Sequence, residues 1–185
     1  MISVDISEKQ LEVARERAGI LGLDVSFLRA DVTDLAIVPD ASFDVVYTGG
    51  HMSIWISDIR QYYAEAVRVL RPRGLFVVNE YHPIRRMWHD SDGPAPHERY
   101  FNRGPYEYRT HGGLPQIEFH WTVADHVQAV LDAGCALIKV DEHGECKEEE
   151  DYAAWTPATL PMYLFIVGCK TGTRPADSGD ATAES

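Results

Sequence analysis

Apolar residues along this chain fall into short, nearly unbroken runs that alternate with segments of helical spacing. Ile2 to Asp5 is the first run, closed by a carboxylate. Ser7 followed three residues later by Gln10 reads as a capping box, which satisfies two orphan backbone donors at a helix start. Leu11, Ala14, Ala18 and Leu21 then recur at helical spacing, and Gly22 supplies a left-handed stop. "DVSFLRAD" predicts a second strand leading to Asp31, and "FDVVYTGG" a third that ends in small residues. Their continuous apolar character is that of strands covered on both faces. Ser57 caps a helix with Ile59, Tyr63, Val67 and Leu70 on one stripe, "RPRG" breaks it, and "LFVVNEY" is a fourth strand. Strand, helix, strand, helix, strand predicts an α/β fold with a parallel, doubly wound sheet.

Periodicity fades from Pro83 to about Glu118, where Pro, Gly and aromatic residues mix. A loop of that length inside a compact domain usually covers a site. Trp88, Tyr100, Phe101, Tyr106 and Tyr108 argue that it packs, so residues 83–118 are expected to form a lid or substrate wall. Thr122 and Asp125 then bracket a third helix start, with Val123, Val127, Val130 and Leu131 as its stripe and Gly134 at its end. "ALIKVD" and "MYLFIVGC" predict two last strands. The acidic run Glu148 to Asp151 reads as a solvated loop, and residues 171–185 as a polar, disordered tail following a domain of residues 1–170.

With 17 basic and 29 acidic side chains the net charge is −12, which repels a phosphate backbone over most of the surface. Nucleic acid and membrane are therefore not expected partners. No apolar run approaches the roughly 20 residues of a membrane span, and the N-terminus has no basic segment followed by an apolar one, so a cytoplasmic protein is expected. Cys135, Cys146 and Cys169 form no CxxC pair, and the eight histidines lack the i, i+4 spacing with a glutamate that a helical zinc site needs. Cys135 and Cys169 lie in or beside apolar runs, so inert buried thiols are expected there, and no metal is expected.

In an open parallel sheet ligands sit outside the carboxyl ends of the strands. Those ends carry Asp5, Asp31, Thr48 with Gly49 and Gly50, and Glu80 with Tyr81. An aspartate placed as Asp5 is can accept hydrogen bonds from ribose hydroxyls, or it can simply help to cap the helix. Asp31 is placed to accept from an adenine amino group while Ala30 and Val32 flank the ring, or to hold a turn.

The series "VDISEKQLEVARERA", "FLRADVTDL", "FDVVYTGGHMSIW" and "RVLRPRGLFVVNEYH" resembles the class I S-adenosylmethionine-dependent methyltransferases from their second strand onward. The likeness covers about Ile2 to His82, and "FHWTVADHVQAVLDAG" with two strands after it resembles the later part of the small-molecule branch. It implies a Rossmann-like sheet ending in an antiparallel hairpin, S-adenosyl-L-methionine as cofactor and a small-molecule substrate. Position by position it implies that Asp5 with Ile6 binds the ribose, that Asp31 with Val32 binds the adenine, and that Thr48, Gly49 and Gly50 line the methionine end.

The family's first strand and glycine-rich loop have no counterpart ahead of Ile2, so the sheet is expected to be incomplete. Such a piece takes roughly 30 residues or more, and a misplaced start codon, a truncated gene or cropping would each remove it. Methyl transfer needs alignment and exclusion of water more than covalent help, and a general base is optional. His51, His82 and His120 are the candidate bases, with structural histidines as the alternative. Tyr81, Trp55 and Trp121 are candidate substrate contacts, with plain core packing as theirs. The rival to an enzyme is a non-catalytic fold remnant or interaction protein. A nicotinamide-dependent enzyme is a third possibility, against which "RVLRPRGLFVV" weighs.

Overall fold

The computed structural model describes residues 1–88, 95–109, 112–145 and 159–172. Cys146, the acidic run Glu148 to Asp151 and the tail beyond residue 172 lie outside the described residues.

Strand β1 (Ile2–Asp5) leads into helix α1 (Glu8–Leu21), which ends at Gly22 in the left-handed conformation, φ 64°. The capping box expected at Ser7 is only half formed. Ser7 Oγ accepts from the Gln10 amide at 3.4 Å, but the Ser7 amide donates to Asp5 Oδ1 at 2.7 Å, so its donor is taken before Gln10 can reach back. Strand β2 (Ser26–Arg29) runs parallel to β1, with Asp5 opposite Arg29.

Strand β3 (Phe43–Gly49) is followed by helix α2 (Ile59–Arg68). Its cap is Asp58 and not Ser57: Asp58 Oδ1 accepts from the Arg60 and Gln61 amides at 3.1 and 3.0 Å, reaching two orphan donors at once. Leu70, assigned above to the helical stripe, instead opens strand β4 (Leu70–Tyr81), and "RPRG" lies within that strand. Phe43 pairs with Leu70 and Val45 with Leu75, so these residues are absorbed as an irregularity in the ladder, with Arg73 at φ 67°.

Residues 83–118 contain a 3-10 helix, Pro83–Trp88, and an antiparallel hairpin of β5 (Tyr106–Arg109) and β6 (Pro115–Glu118). Helix α3 (Val123–Asp132) begins at Thr122 with a complete capping box to Asp125, as expected. Strands β7 (Cys135–Glu145) and β8 (Pro161–Lys170) form the predicted antiparallel pair.

The main sheet has the order β3-β4-β8-β7, parallel between β3 and β4 and antiparallel beyond. Helices α2 and α3 cover one of its faces. There Tyr63, Leu70, Phe76, Val78, Val130, Leu164 and Ile166 are fully buried, and Tyr63 meets Phe76 edge-on at 4.9 Å. Val45 and Tyr47 point to the opposite face by strand alternation and are more than half exposed. Strands β1 and β2 form a separate two-stranded sheet. Among the described residues β1 pairs with β2 alone and β3 with β4 alone, so the doubly wound sheet is in two pieces. The connection between the pieces is tied down by one guanidinium: Arg68 donates to the Leu35 and Val38 carbonyls at 2.7 and 2.9 Å and to Glu65 at 2.9 Å. Glu65 in turn accepts from the Leu35 amide at 2.8 Å.

Candidate functional site

The carboxyl ends of β1, β2, β3 and β4 bring Asp5, Asp31, Gly49 with Gly50, and Glu80 with Tyr81 to strand edges, where parallel topology places ligands. Asp5 spends Oδ1 on the Ser7 amide, and among the described residues its Oδ2 makes no hydrogen bond. Ile6 beside it is 63% exposed, enough to offer apolar surface to a ligand. Asp31 Oδ1 accepts from both the amide and the hydroxyl of Thr33, at 2.8 and 2.7 Å, which holds its carboxyl below the usual range. Among the described residues its Oδ2 is likewise without a hydrogen bond. In each case the local structural role expected as the alternative is present, and one oxygen remains for a ligand. Val32 packs against the main core.

Thr48 differs from its neighbours. It is buried, and its hydroxyl is hydrogen-bonded to the Tyr62 hydroxyl of α2, so its side chain is directed to the helix face of the sheet. Gly49 is required sterically, because a Cβ there would collide with the Asn79 carbonyl oxygen of β4. Gly50 adopts φ 71° and donates to the same Asn79 carbonyl at 3.1 Å.

Beyond this edge lies a small recess lined by His51, Ser53, Ile54, Glu80, Tyr81, Pro83, Arg86, Trp121 and His126. Glu80 forms its floor: it is 1% exposed and accepts from the His51 and Ser53 amides at 3.0 and 3.2 Å. Burial pushes its carboxyl up to about 7, with the loop amides pulling the other way. The His51 ring lies 4.0 Å from that of Tyr81, over which the Arg85 guanidinium sits at 4.6 Å. Trp121 donates its indole N–H to the Ile56 carbonyl at 3.0 Å. His126 and the Tyr63 hydroxyl share a hydrogen bond of 2.7 Å, and burial drives the imidazole down to about 4.

Of the residues expected to face substrate or act as bases, His51, Tyr81 and Trp121 line this recess. His82, His120 and Trp55 do not. His82 Nδ1 accepts from the Ile84 amide at 3.1 Å, which leaves its proton on Nε2 for Glu142 of β7 at 2.6 Å. Both nitrogens are thus engaged, Nδ1 by the 3-10 helix that follows and Nε2 by β7. His120 is stacked on Tyr106 at 4.1 Å and buried, with its pKa brought down to about 4 by desolvation and the Arg86 charge. Trp55 is half exposed beside the recess. Sequence reasoning passed over Arg86, Glu118 and His126. Arg86 and Glu118 form a buried ion pair between the 3-10 helix and the β5–β6 hairpin. His126 lies beside Val127 on the apolar stripe of α3, a spacing that marks a buried histidine. Nothing in the spacing pairs Arg86 with Glu118, because they meet only when the hairpin folds over.

Among the described residues no group of three or more His, Cys, Asp or Glu side chains is arranged to hold a metal, and no helix is long and apolar enough to cross a membrane.

This arrangement defines a class of fold. Residues 1–78 match the family described as a methyltransferase domain. The demethylmenaquinone methyltransferase of Thermus thermophilus is 35% identical over 83 residues, which are 45% of this chain and 37% of that protein. The chain thus spans little more than a third of that relative's length. An S-adenosylmethionine-dependent methyltransferase from Mesorhizobium loti superposes with a TM-score of 0.64 at 23% identity, over 91% of this chain and 79% of its own. One from Methanosarcina mazei superposes with a TM-score of 0.65 at 18% identity, over 93% and 82%. The chain has the fold of the class I S-adenosylmethionine-dependent methyltransferases, and the match to the methyltransferase-domain family lies in its first 78 residues.

Proposed function

We propose that this domain transfers a methyl group from S-adenosyl-L-methionine to a small-molecule acceptor. The observation that carries the reading is the series of groups on successive carboxyl ends: Asp5 and Asp31, each with one carboxylate oxygen unbonded among the described residues, and the sterically required Gly49 followed by the left-handed Gly50. These residues suit the cofactor. Asp5 would hold the ribose hydroxyls, Asp31 and Val32 the adenine, and the open backbone at Gly49 and Gly50 the methionine end. When bound, the cofactor supplies an activated methyl group on sulfonium. The chain's own work is to align the acceptor and exclude water.

The recess beyond Gly50 is the proposed acceptor wall, with His51, Tyr81 and Trp121 facing the substrate. Pro83 and Arg86 reach it from the 83–118 segment, which supports reading that segment as its cover. The demethylmenaquinone methyltransferase relative has a small-molecule acceptor by its name, which supports the small-molecule reading.

One observation favours the rival reading of a methyltransferase-fold protein that no longer binds cofactor. The sheet is in two pieces, with one edge of β1 and one of β3 lacking a ladder partner among the described residues. Unpaired edges of this kind want a strand, and a strand carrying a glycine-rich loop would complete the cradle. Calorimetry with S-adenosylhomocysteine tests both readings, on this chain and on a fusion that places such a strand and loop ahead of Met1. Weak binding by the first and tight binding by the second is expected. If neither binds, the methyl-transfer reading fails and the rival stands.

A further inference from the structure

The chain leaving β3 makes two consecutive left-handed steps, at Gly50 (φ 71°) and His51 (φ 74°). For a residue with a Cβ this conformation is uncommon, and it persists where surrounding groups over-determine it. Here it turns the His51 and Ser53 amides toward one point, and Glu80 fills that point with one oxygen on each, at 3.0 and 3.2 Å. Successive amides in such a turn form a concavity suited to an anion. The neighbouring strand of the same chain provides one. Gly50 adds a bond to the Asn79 carbonyl, so two adjacent residues of β4 grip one turn.

The geometry assigns Glu80 a positioning role: its carboxylate clamps the turn from Gly50 to Ser53, and so sets both the Gly49–Gly50 backbone on the cofactor side and the His51 ring on the acceptor side. Both oxygens are engaged by loop amides, which distinguishes Glu80 from a group that would handle the acceptor's proton. What the two sides bind rests on the methyl-transfer reading, whereas the clamp itself does not. The groups facing Glu80 from the surrounding elements are Tyr62 and Tyr63 of α2, His126 of α3, Arg86 of the 3-10 helix and His51 of the clamped turn.

Glu80→Gln preserves size but turns one acceptor into a donor that confronts a backbone N–H. Native-state hydrogen exchange read residue by residue by NMR on the whole chain is expected to show protection at His51 and Ser53 falling at least tenfold, with the amides of α3 and β8 unchanged. Glu80→Asp, which keeps the charge on a shorter arm, is expected to recover part of it. Should the glutamine variant not fold, the unsubstituted chain decides: the Glu80 carboxyl carbon and the His51 and Ser53 amide protons are expected to titrate with one shared midpoint. Unchanged protection in Glu80→Gln, or loop amides that ignore the carboxyl titration, would overturn the clamp. S-adenosylhomocysteine titrated in parallel separates the two readings. An intact amide pattern with no ligand binding in either form of the chain supports the clamp and removes the methyl-transfer reading; a missing amide pattern removes the clamp whatever the ligand does.

Discussion

In the β3-β4-β8-β7 sheet, Phe76, Val78, Leu164 and Ile166 are wholly shielded by α2 and α3, whereas no strand residue of the β1–β2 sheet is buried and α1 contributes only Leu11 and Ala18 to a core. Ile20 and Leu21 of α1 are 77% and 69% exposed. The difference separates stability from recognition. Most of the burial that holds the domain together lies in one piece, while Asp5 and Asp31 lie on the other, where little packing constrains them. Substitutions in the two pieces are therefore expected to report on different properties.

The largest effects should come from the well-packed side. Phe76→Ala is expected to cost about 3 to 5 kcal/mol in urea unfolding, since it removes a fully buried ring and leaves a cavity. Glu118→Ala should cost about as much, because it removes a buried carboxylate that faces the buried Arg86 guanidinium. If Phe76→Ala unfolds like the parent, the main sheet does not carry the stability assigned to it; if Glu118→Ala does, the buried ion pair does not hold the hairpin to the 3-10 helix.

Next in size is a pH effect from buried titratable groups in and beside the recess. Glu80 rises from 4.5 to about 7, so the folded protein holds a proton that the unfolded chain has released. That contribution is fully present below about pH 4.5 and is lost as pH rises through 7, amounting to about 3 kcal/mol. His126 runs oppositely: its pKa falls from 6.5 to about 4, so stability is gained as pH rises across that interval. His120, also brought from 6.5 to about 4, adds to the gain. The windows overlap, so the parent's profile is expected to be muted by cancellation, whereas Glu80→Gln should become steadily more stable from pH 4 to 6.5. The quantity to measure is the unfolding free energy of the parent minus that of Glu80→Gln. A difference that stays constant with pH would show that Glu80 titrates normally.

On the sparsely packed side the expected change is in binding. In a form that binds S-adenosylhomocysteine, Asp5→Ala should weaken it by about 1.5 to 3 kcal/mol, the range for hydrogen bonds with a charged partner. Its unfolding should shift by only about 1 kcal/mol, from loss of the bond to the Ser7 amide. Calorimetry and urea titration on one preparation give both numbers. Equal losses in the two would erase the separation between the pieces. The smallest effect belongs to Leu21→Ala, expected within about 0.5 kcal/mol of the parent because the side chain is already in water.

Much of this architecture was legible along the chain. The complete capping box at Thr122 and Asp125 and the left-handed Gly22 follow from local chemistry that operates over a few residues, whereas the antiparallel pair β7–β8 is what the family resemblance implied. Where local signals failed, another local group had intervened: Asp5 took the Ser7 amide, and Asp58 outcompeted Ser57 by reaching two amides. The extent of β4 was missed for a different reason. A Pro-containing run looks like a break, but the ladder to β3 resumes at Leu75 and absorbs it.

The candidate site divides in the same way. Asp5, Asp31 and the glycines at the end of β3 could be named from sequence because strand ends are marked by a change from apolar to small or acidic residues, and parallel topology makes those ends the site. His51, His82 and His120 have the same side chain and similar positions after or before regular elements, and nothing in the sequence ranks them. Their fates were decided by contacts between residues far apart in the chain: His82 with Glu142 of β7, His120 against Tyr106 of the hairpin, and His51 beside Tyr81 on a turn held by Glu80. Hydrophobic period and capping chemistry are properties of neighbouring residues, so sequence determines them. The protonation, tautomer and accessibility of a histidine depend on which groups the folded chain brings to within a few ångströms of it, and only the tertiary structure supplies those.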